Sequence, residues 1–273
     1  MRKLLLTFAT LSVTFLTACI NVPLPPDKTS QPSNTGDNNY RVTGPAQFDD
    51  NTSHELSMKK VPDVDLLHPH FYPDGSTEAR ITPTDRALAR ARGRLDINDN
   101  PSGWPRYNPK VDVDYPSGIH YHGYFYNRSH LIADSLGGLP ESNNLIIGTR
   151  FQNVGDNHTA GGMGYPETLA RDFLDRQLDN QPLQPQTTDF LRQLSQHTKK
   201  PIPRTVDVPT QPTCDIAYKV TPIVYPKETI PRQVDVDILS CDKSINQHIE
   251  ISNTMPGFSI DYRTGEVSTT DVR

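Results

Sequence analysis

Four side chains of complementary chemistry occur in one stretch of the sequence: Arg128, His130, Asn153 and Glu167. An imidazole with an unperturbed pKa of about 6.5 can be neutral and act as a base near neutral pH. An amide oxygen and a carboxylate oxygen are hard ligands of the kind that suit Mg²⁺. A guanidinium group can bind phosphate. The four residues could therefore converge on one metal ion and a phosphate group.

Each of these residues also has an ordinary structural interpretation. His130 on its own could be a polar turn residue, and Asn153 could be a helix cap or a surface amide. A carboxylate such as Glu167, in the first turn of a helix, is stabilised by the helix dipole. Arg128 could form a structural ion pair instead of contacting phosphate. Residue type alone leaves both interpretations open.

Local patterns predict the elements that position these side chains. Residues 119–126 alternate and are rich in aromatic side chains, which predicts a strand that delivers the arginine and the histidine to a turn. The apolar run at 145–147 predicts the second strand of a hairpin. Thr149 is a suitable N-cap, which places Asn153 in the first turns of a helix.

The rest of the chain predicts more helices and strands. Pro166 suits the first position of a helix that carries Glu167 and extends to about Asn180. Two further helices are predicted at 82–94 and 188–196. Alternating patterns typical of antiparallel strands occur at 216–225, 233–239 and 247–251. The sequence therefore predicts an α+β domain.

Several short motifs follow one another in a fixed order. They are Asn127-Arg128-Ser129-His130, Gly148-Thr149-Arg150-Phe151-Gln152-Asn153, Glu167, Tyr218-Lys219-Val220-Thr221-Pro222, Ile230-Pro231-Arg232 and Asn253-Thr254-Met255-Pro256-Gly257. With these motifs the chain resembles, over roughly residues 66–268, the DNA/RNA non-specific endonucleases, or ββα-metal nucleases. The resemblance is greatest to their bacterial branch of secreted DNases and DNA-entry nucleases. Ser129 stands where that family carries glycine.

The resemblance implies a fold and an activity. The fold is α+β, with a ββα-metal nuclease core and additional antiparallel strands. The activity is metal-dependent endonucleolytic hydrolysis of DNA, with cleavage of RNA left open, with little sequence preference and with 5′-phosphate products. His130 is then the general base and Arg128 contacts phosphate. Asn153 binds Mg²⁺, and Glu167 holds either the ion directly or a metal-bound water, with Mn²⁺ as the alternative ion. No protein partner is predicted.

A second hypothesis is a catalytically weakened surface lipoprotein that binds nucleic acid or a partner protein on the same scaffold. Ser129 motivates it, and so does the net charge of −5, which argues against a uniformly basic nucleic-acid binder. A nuclease needs only a local basic path. The arginines between 86 and 94 are candidates for that path or a solvated helix face, and Trp104 is a packing anchor or a base-stacking platform. A third hypothesis is a zinc site at His120 and His122, which are otherwise polar strand residues.

The N-terminal residues predict export. Residues 1–18 have a charged start and a short apolar run, as a secretory signal peptide does. Their ending before Cys19 resembles a lipobox, which implies a lipidated Cys19, and an ordinary signal peptide is the alternative. Residues 19–65 are rich in polar residues and proline, which predicts a disordered linker, and 66–273 form the endonuclease domain. The predicted location is the cell envelope, as a membrane-anchored lipoprotein at the cell surface or in the periplasm, on the outer membrane if the cell has one.

Two cysteines remain in the predicted domain, Cys214 and Cys241. An even pair in an exported chain predicts a disulfide, because exported proteins fold in oxidising surroundings. Two free buried thiols are the alternative. Neither cysteine lies in a Cys/His cluster, so a zinc knuckle is not expected.

Overall fold

The computed structural model describes residues 38–48, 56, 58–59, 67–198 and 200–270. Within these residues the chain combines helices with antiparallel strands, so the predicted α+β class is confirmed. The predicted signal peptide and Cys19 lie outside the described residues. In the described part of the chain, no helix has the length and apolarity needed to cross a membrane.

The elements are numbered in chain order. The helices are α1 (Pro83–Arg92), α2 (Arg150–Val154), α3 (Gly164–Asp179) and α4 (Asp189–Thr198), with the 3₁₀ turns η1 (Asp134–Leu136) and η2 (Ser142–Asn144). The strands are β1 (Arg41–Gly44), β2 (Met58–Lys59), β3 (His70–Phe71), β4 (Thr77–Ile81), β5 (Lys110–Asp114), β6 (His120–Tyr124), β7 (Tyr126–His130), β8 (Leu145–Thr149), β9 (Leu183–Thr187), β10 (Thr205–Pro209), β11 (Thr213–Cys214), β12 (Ile216–Ile223), β13 (Gln233–Ser240), β14 (Asn246–Ser252), β15 (Phe258–Ile260) and β16 (Val267–Thr269).

A six-stranded antiparallel sheet supports the main core, in the order β1-β14-β13-β12-β4-β3. Val234 and Val236 of β13 and Leu174 of α3 are fully buried in one apolar cluster. Ile132 and Leu136, from the segment just after β7, belong to the same cluster. The chain that leaves the candidate histidine is therefore anchored in the core.

One hairpin and two helices carry the candidate site. β7 pairs with β8 in a register that sets His130 opposite Leu145 and Arg128 opposite Ile147. α2 follows β8 without a loop, and α3 comes next along the chain. Two antiparallel strands followed directly by a helix are the ββα arrangement that the motifs predicted.

The predicted strand at 119–126 is wrong in its extent. The structure splits it at Phe125 into β6, which pairs with β5, and β7, which pairs with β8. The Asn108 side chain donates to the Tyr126 carbonyl at 2.8 Å and accepts from the Tyr126 N–H at 2.9 Å. These side-chain hydrogen bonds hold the chain just after the last β5–β6 backbone pair. The chain then continues as β7, so Arg128 and His130 lie in a strand and not in a turn.

The predicted disordered linker at 19–65 is also wrong for residues 38–48, which join the folded domain. β1 forms an edge of the six-stranded sheet and pairs with β14, with Arg41 opposite Glu250, and the side chains of these two residues form an ion pair at 2.6 Å. The Asn39 side chain donates to the Ser252 carbonyl at 2.8 Å. Backbone pairing at a sheet edge holds this segment despite its polar composition, because strand hydrogen bonds do not depend on side-chain apolarity.

Cys214 and Cys241 form a disulfide, as predicted, with their Cα atoms 5.4 Å apart. The bond ties the segment before β12 to the turn after β13. In the chain-entropy model, closing a loop with a sequence separation of 27 residues is worth about 3–4 kcal/mol. The disulfide therefore supports the central sheet and lies outside the candidate site.

Candidate active site

His130 ends β7, and the chain beyond it is fixed by a buried asparagine. The Asn144 side chain accepts from the Ile132 N–H and donates to the Ile132 and Leu139 carbonyls, each at 2.9 Å. The Leu131 N–H donates to the Asn144 carbonyl, also at 2.9 Å. Because both sides of this turn are hydrogen-bonded, the histidine is presented by a fixed part of the fold.

The environment of His130 keeps its imidazole neutral. Burial lowers its pKa to about 4, and the charges of Arg94 and Arg92 act in the same direction while Asp134 opposes them. Its Nε2 atom is buried and has no hydrogen-bond partner among the described residues. A neutral ring with an unpartnered nitrogen can accept a proton at neutral pH, so the ring has the state that a general base requires.

Asn153 lies in α2, and that helix is capped as predicted. The Thr149 hydroxyl accepts from the Gln152 N–H at 2.9 Å and donates to the Thr254 carbonyl at 2.6 Å. The Asn153 Oδ1 atom accepts from the Ser129 hydroxyl at 3.0 Å. Since Ser129 directly precedes His130, this bond ties the candidate metal ligand to the strand that carries the candidate base.

Ser129 occupies the position of the family glycine without backbone strain. It is fully buried in β7 and is not among the residues with positive φ. Glycine is favoured where the backbone adopts positive φ, and an extended strand does not need it. The serine is therefore compatible with the local backbone of this site.

Glu167 lies in the first turn of α3, where the residue as a whole is partly exposed and its carboxyl group is buried. Burial raises its pKa to about 8, Asp134 acts in the same direction and Arg171 opposes them. The fully buried Tyr218 is close enough for the Glu167 charge to raise the pKa of its phenol further, after burial itself. A carboxylate in such surroundings is stabilised by a nearby cation.

Asp134 is a site residue that the sequence analysis did not single out. Its charge raises the pKa of both His130 and Glu167, so its carboxylate lies near both. Its carboxylate accepts from Arg92 Nη1 at 2.8 Å, and Arg92 Nη2 donates to the Gly138 carbonyl at 3.0 Å. Asp134 belongs to none of the sequence motifs, so its nearness to His130 and Glu167 is visible only in the folded chain. Asp134 thus brings His130 and Glu167 into one electrostatic neighbourhood.

An open cleft of about 470 Å³ reaches Asn153. Arginine and aromatic side chains dominate its walls, which include Arg94, Arg128, Arg150, Trp104, Tyr124 and Tyr126. None of the described residues that line the cleft is acidic. His130 is not among the residues that line the cleft, but Arg128, which lines it, stands two residues earlier on β7, so the two side chains project from the same face of that strand. The charge and aromatic surface of the cleft suit the backbone and the bases of a polynucleotide.

Arg128 is oriented toward the cleft by neutral partners. Its Nε donates to Asn100 Oδ1 at 2.7 Å, and its guanidinium lies 5.1 Å from the Trp104 ring centroid. Trp104 also packs against an apolar cluster with part of its ring, as a packing anchor would. The alternative of a structural ion pair for Arg128 finds no carboxylate partner in the described part of the chain.

The arginines of α1 have other roles. Arg86 forms two hydrogen bonds with Asp175, at 2.9 and 3.0 Å, and Arg92 is buried against Asp134. These two guanidinium groups already have carboxylate partners, so they neither form a solvated helix face nor serve as a free path for phosphate. Arg94, just beyond the helix, is exposed and lines the cleft.

His120 and His122 have surroundings unlike those of His130. Both are exposed on β6, and their Nδ1 atoms lie 2.8 Å from Asp114 and Asp112 respectively, across the pair β5–β6. In the described ranges, no group of three or more His, Cys, Asp or Glu side chains could hold a metal ion. The structure therefore gives no support to a zinc site at these histidines, which form exposed His–Asp pairs.

The chemistry of Asn153 and Glu167 fits a hard divalent cation. An amide oxygen and a recessed carboxylate supply oxygen donors, and Mg²⁺ typically takes only one or two carboxylates and keeps several waters. The raised pKa of Glu167 reflects a buried carboxyl group without an adequate opposite charge. A cation would supply that charge at Glu167, while Asn153 offers its amide oxygen from α2 beside the cleft.

Comparisons with known proteins give one sequence relative and several similar folds. No family model matches the chain. A curated deoxyribonuclease from Streptococcus dysgalactiae subsp. equisimilis is 29% identical over 204 residues, which are 65% of this chain and 51% of that protein. The chain thus spans about half the length of the curated relative that it matches.

Among solved structures, the Sda1 nuclease with a bound zinc ion is 26% identical with a TM-score of 0.64. The match covers 86% of this chain and 97% of that chain. NucA from Streptococcus agalactiae with a bound magnesium ion is a more distant match, at 17% identity and a TM-score of 0.49 over 80% of this chain and 86% of that chain. In sequence and in fold, the chain resembles the bacterial secreted nucleases of the non-specific endonuclease family.

Proposed function

We propose that this chain is a metal-dependent endonuclease that hydrolyses phosphodiester bonds of DNA, and of RNA as a second substrate, with little sequence preference. The observation that carries the proposal is the neutral, unpartnered imidazole of His130 on β7, the strand whose Arg128 lines a cleft together with two further arginines. The deoxyribonuclease relative and the Sda1 nuclease fold support it.

In this proposal His130 takes the proton from the water that attacks phosphorus. A pKa of about 4 in the free protein makes the ring a weak base. A phosphodiester in the cleft adds negative charge nearby, which raises the pKa of the ring toward neutrality and strengthens it as a base. Arg94 and Arg128 would meanwhile bind the phosphate oxygens, and Arg150 the adjoining backbone.

Asn153 and Glu167 would hold Mg²⁺, with Mn²⁺ as the alternative ion. A bound divalent cation would supply positive charge for the phosphoryl oxygens and for the leaving 3′ oxygen. Because these two side chains serve as ligands, His130 stays free to move a proton. The products would carry 5′-phosphate ends.

Export of the chain is part of the proposal. The disulfide between Cys214 and Cys241 suits an oxidising compartment. A signal peptide at 1–18 and lipidation of Cys19 would anchor the nuclease to a membrane, in the cell envelope and facing its substrate.

The test is cleavage of supercoiled plasmid by the purified protein with Mg²⁺, with Mn²⁺ and with EDTA. The proposal predicts nicking and then degradation with either ion, no cleavage with EDTA, and product ends from which phosphatase releases phosphate. Undiminished cleavage in EDTA would contradict the metal requirement. Tight DNA binding without cleavage under any divalent ion would favour the second function, a surface lipoprotein that binds nucleic acid.

A further inference from the structure

Ser129 connects the two halves of the candidate site. It stands in β7 between Arg128 and His130, is fully buried, and donates its hydroxyl to Asn153 Oδ1 at 3.0 Å. In the part of the chain that the structure describes, this is the one hydrogen bond made by the Asn153 side chain. The side chain proposed to bind metal is therefore held by a residue of the facing strand.

The space for this serine comes from a glycine on β8. A Cβ atom added at Gly148 would lie 2.9 Å from the Ser129 Cβ and would also collide with the buried Gln152 side chain. Cβ atoms do not approach this closely in folded proteins, so only glycine at 148 leaves room for serine at 129. The absence of a side chain at Gly148 therefore accommodates the Ser129 side chain across the β7–β8 hairpin, where its hydroxyl reaches Asn153.

We propose that Ser129 is a positioning residue that orients the Asn153 side chain for the divalent cation, an inference that rests on the proposed function. An amide oxygen has two lone pairs. The serine hydroxyl occupies one, which fixes the side-chain rotamer, and the other remains for the ion. The cation then binds to a side chain that is already ordered. Glycine, which the family carries at this position, has no side chain and could not make this hydrogen bond.

The test measures the Kd for Mn²⁺ by isothermal titration calorimetry on the full chain without nucleic acid. Loss of a hydrogen bond to a metal ligand typically weakens metal binding by about 10–100-fold. Ser129→Ala and Ser129→Gly are therefore expected to raise the Kd about tenfold or more. Ser129→Gly restores the family residue and provides a second folded variant if alanine destabilises the strand.

Ser240→Ala is the matched control, because Ser240 is also a buried serine and donates to Asp242 at 2.6 Å on a different strand. It should lower the melting temperature and leave the Kd for Mn²⁺ unchanged. In cleavage assays, a high Mn²⁺ concentration should restore kcat of Ser129→Ala, with the KM for DNA unaltered.

An unchanged Kd in both Ser129 variants, or an equal change in Ser240→Ala, would overturn the inference. If the wild-type protein cleaves no DNA but the Ser129 variants still bind Mn²⁺ more weakly than it does, the proposed function is refuted and the positioning role of Ser129 stands. The two failures are therefore distinguishable.

Discussion

The histidines on two consecutive strands, β6 and β7, have opposite environments. His120 and His122 of β6 are exposed and face Asp114 and Asp112 at 2.8 Å. Hydrogen bonding to Asp114 raises the pKa of His120. His130 of β7 is recessed, its Nε2 has no partner in the described part of the chain, and its pKa is lowered to about 4. The same side chain is thus an ion-pair partner on one strand and a free base on the next.

The difference arises from what surrounds each ring. A carboxylate hydrogen-bonded to an exposed imidazole favours its protonated form. Burial beside two guanidinium groups favours the neutral form, and here burial is the larger cause. A histidine near acidic side chains is therefore not by itself a catalytic candidate, whereas a recessed, neutral and unpartnered histidine on a strand that lines a basic cleft is.

The largest expected effect separates the two histidine settings directly. Because general-base catalysis contributes about 10²–10⁴-fold to a rate, His130→Ala should lose at least 100-fold in kcat for plasmid cleavage. His120→Ala, the matched control, should retain the wild-type rate. Equal losses in the two variants would erase the functional distinction.

Removal of the proposed amide ligand comes next in size. Asn153→Ala should weaken Mn²⁺ binding by about 10–100-fold, the range seen when metal sites lose supporting contacts, and raise the metal concentration needed for half-maximal cleavage. His122→Ala should change neither, because His122 is paired with Asp112. Calorimetry with Mn²⁺ measures the change in Kd. Loss of metal binding in His122→Ala but not in Asn153→Ala would place the ion on β6 and contradict Asn153 as its ligand.

A smaller effect is expected from the arginines of the cleft. Each phosphate contact contributes a slope of about 0.9 to the dependence of log affinity on log salt for duplex DNA. Arg150→Ala should raise the KM severalfold and reduce that slope by about 0.9. Arg90→Ala, which removes an exposed arginine of α1 that lies near Asp175 of α3, should leave the slope unchanged. Identical slopes for wild type and Arg150→Ala would remove Arg150 from the substrate path.

The smallest effect is on stability as a function of pH. The pKa of His130 falls from 6.5 in the unfolded chain to about 4 in the folded chain, so the unfolded chain binds more protons between these values. The free energy of unfolding should therefore decrease as pH falls through this window, and less steeply in His130→Ala.

The pKa of His120 is raised, so its contribution has the opposite sign: it is present at low pH and lost as pH rises through the folded value. His120→Ala should not flatten the decrease that His130 causes. Urea unfolding at several pH values checks both variants, and a steeper decrease in His130→Ala would show that the ring is protonated in the folded chain.

Local signals in the sequence predicted the elements that carry the site. Thr82 caps α1 through a capping box with Asp85, and Thr149 caps α2, as their types and spacing indicated. The alternation in β12, β13 and β14 also predicted the strands correctly. Caps and alternation act over a few residues, which is why the sequence reveals them.

Features that depend on distant residues were missed. The end of β6 depends on Asn108, which lies 18 residues from Tyr126, and the edge strand β1 depends on β14, with Arg41 and Glu250 separated by 209 residues. The pairing of Arg92 with Asp134 and the bond from Ser129 to Asn153 likewise exist only after folding. No local pattern encodes such contacts.

The most direct test of the central claim is chemical rescue of the His130→Ala variant. The rate of plasmid cleavage by this variant would be measured with Mg²⁺ as imidazole is added at fixed pH. If His130 is the base, the rate should start far below that of the wild type and rise with the concentration of neutral imidazole. A wild-type rate before any imidazole is added, or a low rate that never responds to it, would contradict the assignment.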